Sequence, residues 1–208
     1  MSSTKRLLIT VSLALCAIAG ALLMPNNLSA AALEIGATAP AFSLPNVDDK
    51  SVSLSDFAGK KGVCVVFTCN HCPYAKAYED RLIALGQEFQ SQGISFVLIS
   101  PNDPKLKPED GAAEMKKRAA EKSYPFPYLL NEDGSVAKSY GAARTPEVFL
   151  LDSEMKVVYT GRIDDNTEVK DVKVHDLQNA LSKLVAGEAS TIDPKVTKAF
   201  GCTIKFRP

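Results

Sequence analysis

Apolar residues recur along the chain at two different spacings. VCVVFT (63–68) is a continuous, largely β-branched run preceded by Gly62, which suits a strand buried on both faces. From Tyr74 the spacing opens to three and four. Tyr74, Tyr78, Leu82, Leu85 and Phe89 share one face, while Lys76, Glu79, Asp80 and Gln87 point elsewhere. That period predicts an amphipathic helix, closed by Gly93. ISFVLIS (94–100) is a second buried strand. The following stretch, PNDPKLKPEDGAAEMKKRAAEK, opens as a loop and becomes a charged helix, with Pro108 in its first turn. FPYLLNEDG gives a short strand and a turn, and VAKSYG a short helix closed by Gly141.

In RTPEVFLLDSEMKVVYTGRID (144–164) two apolar runs flank DSEM, the pattern of a hairpin. Val174, Leu177, Leu181 and Leu184 mark a last helix ended by Gly187. Before the first buried strand, residues 51–54 alternate as a hairpin strand. SDFAG then forms a single helical turn capped by Ser55 and closed by Gly59. The order of elements predicts an α/β fold, with a central mixed sheet flanked by helices. The early βαβ units supply parallel strands and the late hairpin an antiparallel edge. A hairpin extension precedes this core. Residues 188–208 lack a period and form a tail, whose Phe200, Ile204 and Phe206 need a surface to cover.

The first thirty residues are a different kind of sequence. Lys5 and Arg6 precede an apolar run from Leu7 to Met24, and small residues follow at Ser29, Ala30, Ala31 and Ala32. A charged start, an apolar middle and a small-residue cleavage site make a secretory signal, cut after Ala30 or one or two residues later. The alternative is an uncleaved anchor, since the run approaches the roughly 20 residues a span needs. The expected organisation is therefore 1–30 signal peptide or anchor, 31–187 domain, and 188–208 tail. The expected location is exported and periplasmic, with membrane contact only through an uncleaved N-terminus.

Cleavage changes charge and cysteine content. The whole chain carries 24 basic and 24 acidic residues, and removal of Lys5 and Arg6 leaves a formal charge of −2. No basic stripe with interleaved aromatics is present, which argues against a nucleic-acid partner. Cys16 leaves with the signal; Cys64, Cys69, Cys72 and Cys202 remain in a compartment where disulfides persist.

Cys69 and Cys72 bracket Asn70 and His71 at a strand-to-helix junction. Unpaired amides and the helix dipole stabilise a thiolate there, and a protonated His71 adds to the effect. The expectation is a depressed pKa at Cys69, with Cys69 attacking a substrate disulfide and Cys72 resolving the mixed disulfide. A zinc site needs a second ligand pair, which the chain lacks. A structural staple closing so short a loop removes little unfolded-state entropy. No cofactor and no metal is called for, although Cys69, Cys72 and His71 are a donor set that thiolate-seeking Cu(I) accepts. Cys64, inside VCVVF, serves as a small core hydrophobe, and His175 is placed at a surface helix start.

These features resemble the thioredoxin superfamily over residues 34–187. "CNHC" at its junction and "RTPEVF" opening a later strand carry the likeness. The resemblance implies that Thr145–Pro146 is a cis peptide facing the cysteines, and that Thr145 pairs with an extended substrate. Asn70, His71, Thr145 and Pro146 are then the substrate-binding set. GATAPAFSLPNVDDKSVSLSDFAGKKG, NDP (102–104), RTPEVFLLD and GRIDD are similar to the redoxin branch, which holds the alkyl hydroperoxide reductase/thiol-specific antioxidant proteins. CNHCPYAKAYEDRL, RTPEVFL and GCTIKF resemble its peroxiredoxin-like members.

Two departures stand out. Cys72 matches the peroxidatic cysteine of that branch, but Val65 and Cys69 stand where proline and threonine are usual, and the peroxide-polarising arginine falls at Pro146. Val63 replaces the buried acid of thioredoxins, leaving Glu147 and Asp103 as substitute bases. The implied activity is thiol–disulfide exchange with protein or small-molecule thiols and disulfides, fed by a membrane or periplasmic electron donor. Thiol-dependent peroxidase activity and Cu(I) handling are the alternatives. Cys202 is expected as a third redox cysteine that exchanges with Cys69.

Overall fold

The computed structural model describes residues 32–207. The signal or anchor segment lies outside them. Among the described residues no helix is long and apolar enough to cross a membrane.

A small antiparallel hairpin, β1 (Ser43–Pro45) and β2 (Ser51–Ser53), leads into the core. The turn after it, Leu54–Phe57, is capped by Ser53 rather than Ser55, and the Asp56 carboxylate accepts from the Ser53 amide at 2.8 Å. The central sheet has five strands: β3 (Gly62–Phe67), β4 (Ile94–Ser100), β5 (Tyr128–Leu130), β7 (Glu147–Asp152) and β8 (Val157–Gly161). Their order is β5-β4-β3-β7-β8. β5, β4 and β3 run parallel, and the β7–β8 hairpin joins antiparallel against β3. The expected mixed sheet is present, with only β8 of the hairpin at the edge.

Every residue of β3 is buried, and alternate side chains serve two cores. Cys64 and Val66 meet α1 (Pro73–Gln90) and α4 (Asp176–Val185) through Tyr78, Leu82, Phe89, Leu177 and Leu181. Val63, Val65 and Phe67 meet the lead-in and α3 (Ser135–Tyr140) through Phe42, Phe57, Val136 and Tyr140. α2 (Ala112–Glu121) buries Met115 in the first of these cores. Its Arg118 pairs with the buried Glu79 of α1, which also accepts from the Tyr124 hydroxyl.

Three boundaries differ from the periodic reading. Tyr74 and Val174 are exposed, because the first sits in the opening turn of α1 and the second precedes α4. Pro108 belongs to a separate turn, Pro108–Asp110, and α2 starts only at Ala112. Gly93 and Gly141 do close their helices, at φ 95° and 66°, a region glycine enters without penalty.

The tail folds back on the domain. Ile204 is buried in the second core, and Phe206 covers Gly134 beneath the Lys138 ammonium. A two-stranded ladder joins β6 (Arg144–Thr145) to β9 (Cys202–Thr203).

Leu82 is 1% exposed at the centre of the α1 contact. Leu82→Ala should cost about 2–5 kcal/mol. With a slope of about 1–3 kcal/mol per molar urea, the unfolding midpoint should fall by on the order of 1 M. An unchanged midpoint would contradict this packing.

Candidate active site

Pro73 is the first residue of α1, and its ring fixes the helix start because the missing amide is not needed there. Cys72 is therefore the N-cap residue, with extended backbone at φ −74° and ψ 122°. Cys69, Asn70 and His71 form the loop between β3 and the helix. The helix end thus favours a charge on Cys72, and not on Cys69 as the order of the two in the sequence suggests.

The two sulfurs meet under one residue. Cys69 Sγ is hydrogen-bonded to Thr145 Oγ1 at 3.1 Å, and Cys72 Sγ lies 3.2 Å from the Thr145 carbonyl oxygen, to which it donates when protonated. Thr145–Pro146 is cis, as the resemblance implies. Cys69 is 4% exposed, while Cys72 and Thr145 are 0% exposed.

The loop between the cysteines is held by Asp110, a buried carboxylate that sequence reasoning does not single out. One of its oxygens accepts from the Asn70 amide at 2.7 Å and the His71 amide at 3.0 Å. The other meets His71 Nδ1 at 2.6 Å and accepts from Asn102 Nδ2 at 2.8 Å. Asn70 donates to the Glu109 carbonyl and accepts from the Tyr128 hydroxyl. The Asn70 side chain and the amide and Nδ1 of His71 are thus engaged from inside the protein. Only the position of Asp110 at the end of the turn Pro108–Asp110 sets it apart in sequence, and its neighbour Glu109 shares that turn.

This arrangement divides the charge between the sulfurs. Cys69 is pushed well above the ordinary thiol range, chiefly because it donates its proton to Cys72, and further by burial and by the Asp110 carboxylate. Cys72 is held below that range, chiefly by the Cys69 hydrogen bond, with further support from the Cys202 thiol and amide; burial opposes this. The expected depressed pKa at Cys69 is therefore corrected. The amides and imidazole meant to stabilise a Cys69 thiolate are turned toward Asp110 instead.

Cys202 lies against Cys72 in the same cluster. Burial, and then the neighbouring Cys72, raise its pKa to about 11. The ladder sets Cys202 opposite Thr145, against the cluster that holds both Cys69, its expected partner, and Cys72, which is its hydrogen-bonding neighbour. Cys64 is fully buried in the core and His175 is exposed at the start of α4, as expected. Both substitute bases are committed to other partners. The Glu147 carboxylate accepts from the Ala143 and Arg144 amides, and Asp103 pairs with Arg207.

Donor atoms of Cys69, His71 and Asp110 come within 4.8 Å of one another. One sulfur, one nitrogen and one oxygen already committed to hydrogen bonds suit Cu(I) poorly, since it selects thiolates. Nδ1 of His71 is likewise engaged by Asp110.

The reduced protein should hold one thiolate at mildly acid pH, followed by its ultraviolet absorbance. That absorbance should be lost in Cys72→Ser and persist, with a higher midpoint, in Cys69→Ser. Asp110→Asn removes a negative charge beside Cys69 and should lower its pKa. Cys69 should then be alkylated several-fold faster at neutral pH, because more of it is thiolate. Retention of the thiolate band in Cys72→Ser would place the charge on Cys69 instead.

Thiol-disulfide oxidoreductase ResA of Geobacillus thermodenitrificans is 28% identical over 149 residues, covering 69% of this chain and 77% of that one. The crystal structure of an uncharacterized conserved protein from Geobacillus kaustophilus superposes with a TM-score of 0.80 at 38% identity, over 85% of this chain and 94% of that one. The thioredoxin domain of thiol-disulfide oxidoreductase BVU-2223 from Bacteroides vulgatus gives a TM-score of 0.59 at 26% identity, over 74% and 99%. The fold is thioredoxin-like, and with residues 35–160 matching its model, the chain belongs to the AhpC/TSA family.

Proposed function

We propose that this protein is an exported thiol–disulfide oxidoreductase whose working couple is Cys69 and Cys72. The observation that carries the reading is the convergence of two buried sulfurs on one residue, Cys69 Sγ on the Thr145 hydroxyl at 3.1 Å and Cys72 Sγ on the Thr145 carbonyl at 3.2 Å. Such a pair is ready to lose two electrons as a disulfide.

Cys69, the less buried sulfur, makes the first attack. Its proton passes to Cys72, and the Cys69 thiolate displaces one sulfur of a substrate disulfide. The displaced thiolate takes the proton from Cys72, which attacks Cys69 Sγ and releases the second substrate thiolate. The products are a reduced substrate and a Cys69–Cys72 disulfide. Asn70 and His71 act as positioning residues, through Asp110. Thr145 orients both sulfurs, and the buried Pro146 follows it through a cis peptide. Reducing equivalents come from an extracytoplasmic thiol donor, at the membrane or in the periplasm, a reading supported by the charged start, apolar run and small residues of positions 5–32.

The placement of the thiolate favours a second reading, thiol-dependent peroxide reduction. Cys72 stands at the peroxidatic position of the family and carries the depressed pKa. Val65, Cys69 and Pro146 stand in place of the residues that usually assist it.

The mature chain should reduce insulin disulfides with dithiothreitol as donor. The Cys69→Ser, Cys72→Ser double variant should show only the background rate. Equal rates would sink the exchange reading. Rapid peroxide consumption lost in Cys72→Ser but kept in Cys69→Ser would put the peroxidase in its place.

A further inference from the structure

The strand edge beside the sulfurs is already taken. β6 is the backbone that touches both cysteines, through the Thr145 hydroxyl and carbonyl. β9 of the tail pairs antiparallel with it, Thr145 opposite Cys202 and Arg144 opposite Thr203. Any polypeptide that brought a disulfide to this site in extended form would need that same edge, because strand addition is how an open edge binds an extended chain.

The tail is built to fit there. Gly201 lies so close that a Cβ on it would stand 2.0 Å from the Thr145 carbonyl oxygen and 3.1 Å from the Pro146 nitrogen. Arg144 Nη1 donates to the Gly201 carbonyl at 2.9 Å, and the Ile204 amide to the Ala143 carbonyl at 3.1 Å. Beyond the ladder the Lys205 amide donates to Asn102 Oδ1 at 2.7 Å, and Arg207 pairs with Asp103. Register and anchors together deliver the Cys202 sulfur to Cys72.

We propose that Cys202 is a third catalytic cysteine whose partner is Cys72, and that the strand carrying it is a built-in substrate mimic occupying the edge that a disulfide-bearing peptide would take. This deepens the exchange reading and rests on it. In the oxidised protein the Cys202 thiolate attacks Cys72 Sγ. The Cys69–Cys72 bond breaks as the Cys72–Cys202 bond forms, and Cys69 leaves as a thiolate that takes the proton given up by Cys202. One disulfide and one thiol stand on each side, so the step needs no added oxidant. It moves the disulfide from the loop to the tail, where Cys202 is the most exposed of the three sulfurs.

The test uses the mature chain with Cys69→Ser, so that Cys69 cannot compete for Cys72 and the other remaining thiol, Cys64, is sealed in the core. Oxidised glutathione supplies the oxidant. Cys72 displaces one glutathione thiolate, and Cys202 then attacks Cys72 and displaces the second. Acid quenching, alkylation and mass mapping should find Cys72–Cys202 as the main product. Adding Gly201→Ala should cut its yield at least tenfold and speed alkylation of Cys72, because the tail can no longer seat on Thr145. In the otherwise native chain, Gly201→Ala should raise the rate with insulin relative to the rate with oxidised glutathione.

Recovery of Cys202 only as free thiol or as a glutathione adduct in Cys69→Ser would overturn the proposal. An undiminished Cys72–Cys202 yield with Gly201→Ala would overturn the seating of the tail. Formation of the bond supports the proposal whether or not insulin is reduced, so its failure and that of the exchange reading remain separable.

Discussion

The buried carboxylate of Asp110 is the constraint on which the site depends. It is 1% exposed and takes hydrogen bonds from four donors on two segments: two amides and an imidazole of the CxxC loop, and the amide side chain of Asn102. A buried charge persists only when it is satisfied in this way, and removing its partners costs several kcal/mol. The loop is therefore fixed to the carboxylate rather than free to wrap a thiolate. A negative charge beside Cys69 and a helix N-terminus beside Cys72 then act in the same direction, and the reduced pair carries its charge on the inner sulfur.

The sheet makes this possible. β3 and β7 pair antiparallel with Phe67 opposite Glu147. The chain leaving β3 and the chain arriving at β7 consequently meet at one end of the sheet. That register sets residues 69–72 against residues 144–146 without either segment belonging to the central sheet. The two cores on the faces of β3 hold the register, since a one-residue slip would turn Val63, Val65 and Phe67 from one core into the other.

Much of this is legible in the residues. The continuous run of β3, the period of α1 and the flanked hairpin of β7 and β8 are each specified by local pattern, and the structure follows them. The placement of the charge on Cys72 rather than Cys69 is half legible. Pro73 marks the first helical residue, and it alone places Cys72 rather than Cys69 at the helix end. The rest depends on contacts between residues far apart in the chain. Asp110 is 39 positions from His71, and nothing in PEDG distinguishes the acid that turns inward from the one that does not. The tail has no period because its order comes from pairing with Arg144 and Thr145 and from burying Ile204, neither of which leaves a pattern in its own sequence.

Loop and tail share one side chain. Asn102 donates to Asp110 through Nδ2 and accepts the Lys205 amide through Oδ1. The carboxylate that fixes the charge of the cysteine pair is thus one residue removed from the backbone of the segment that carries Cys202. Asp103, the next residue, accepts Arg207, and its amide donates to the Lys205 carbonyl. The tail is consequently held at two places by the same short stretch, Asn102–Asp103, while its middle lies on Thr145. A shift of the CxxC loop on oxidation would press on the tail by two routes: directly through the sulfurs, and through Asp110 and Asn102. Both routes end on residues 202–205, so the contacts of the tail and those of the cysteine loop converge on Thr145 and Asn102.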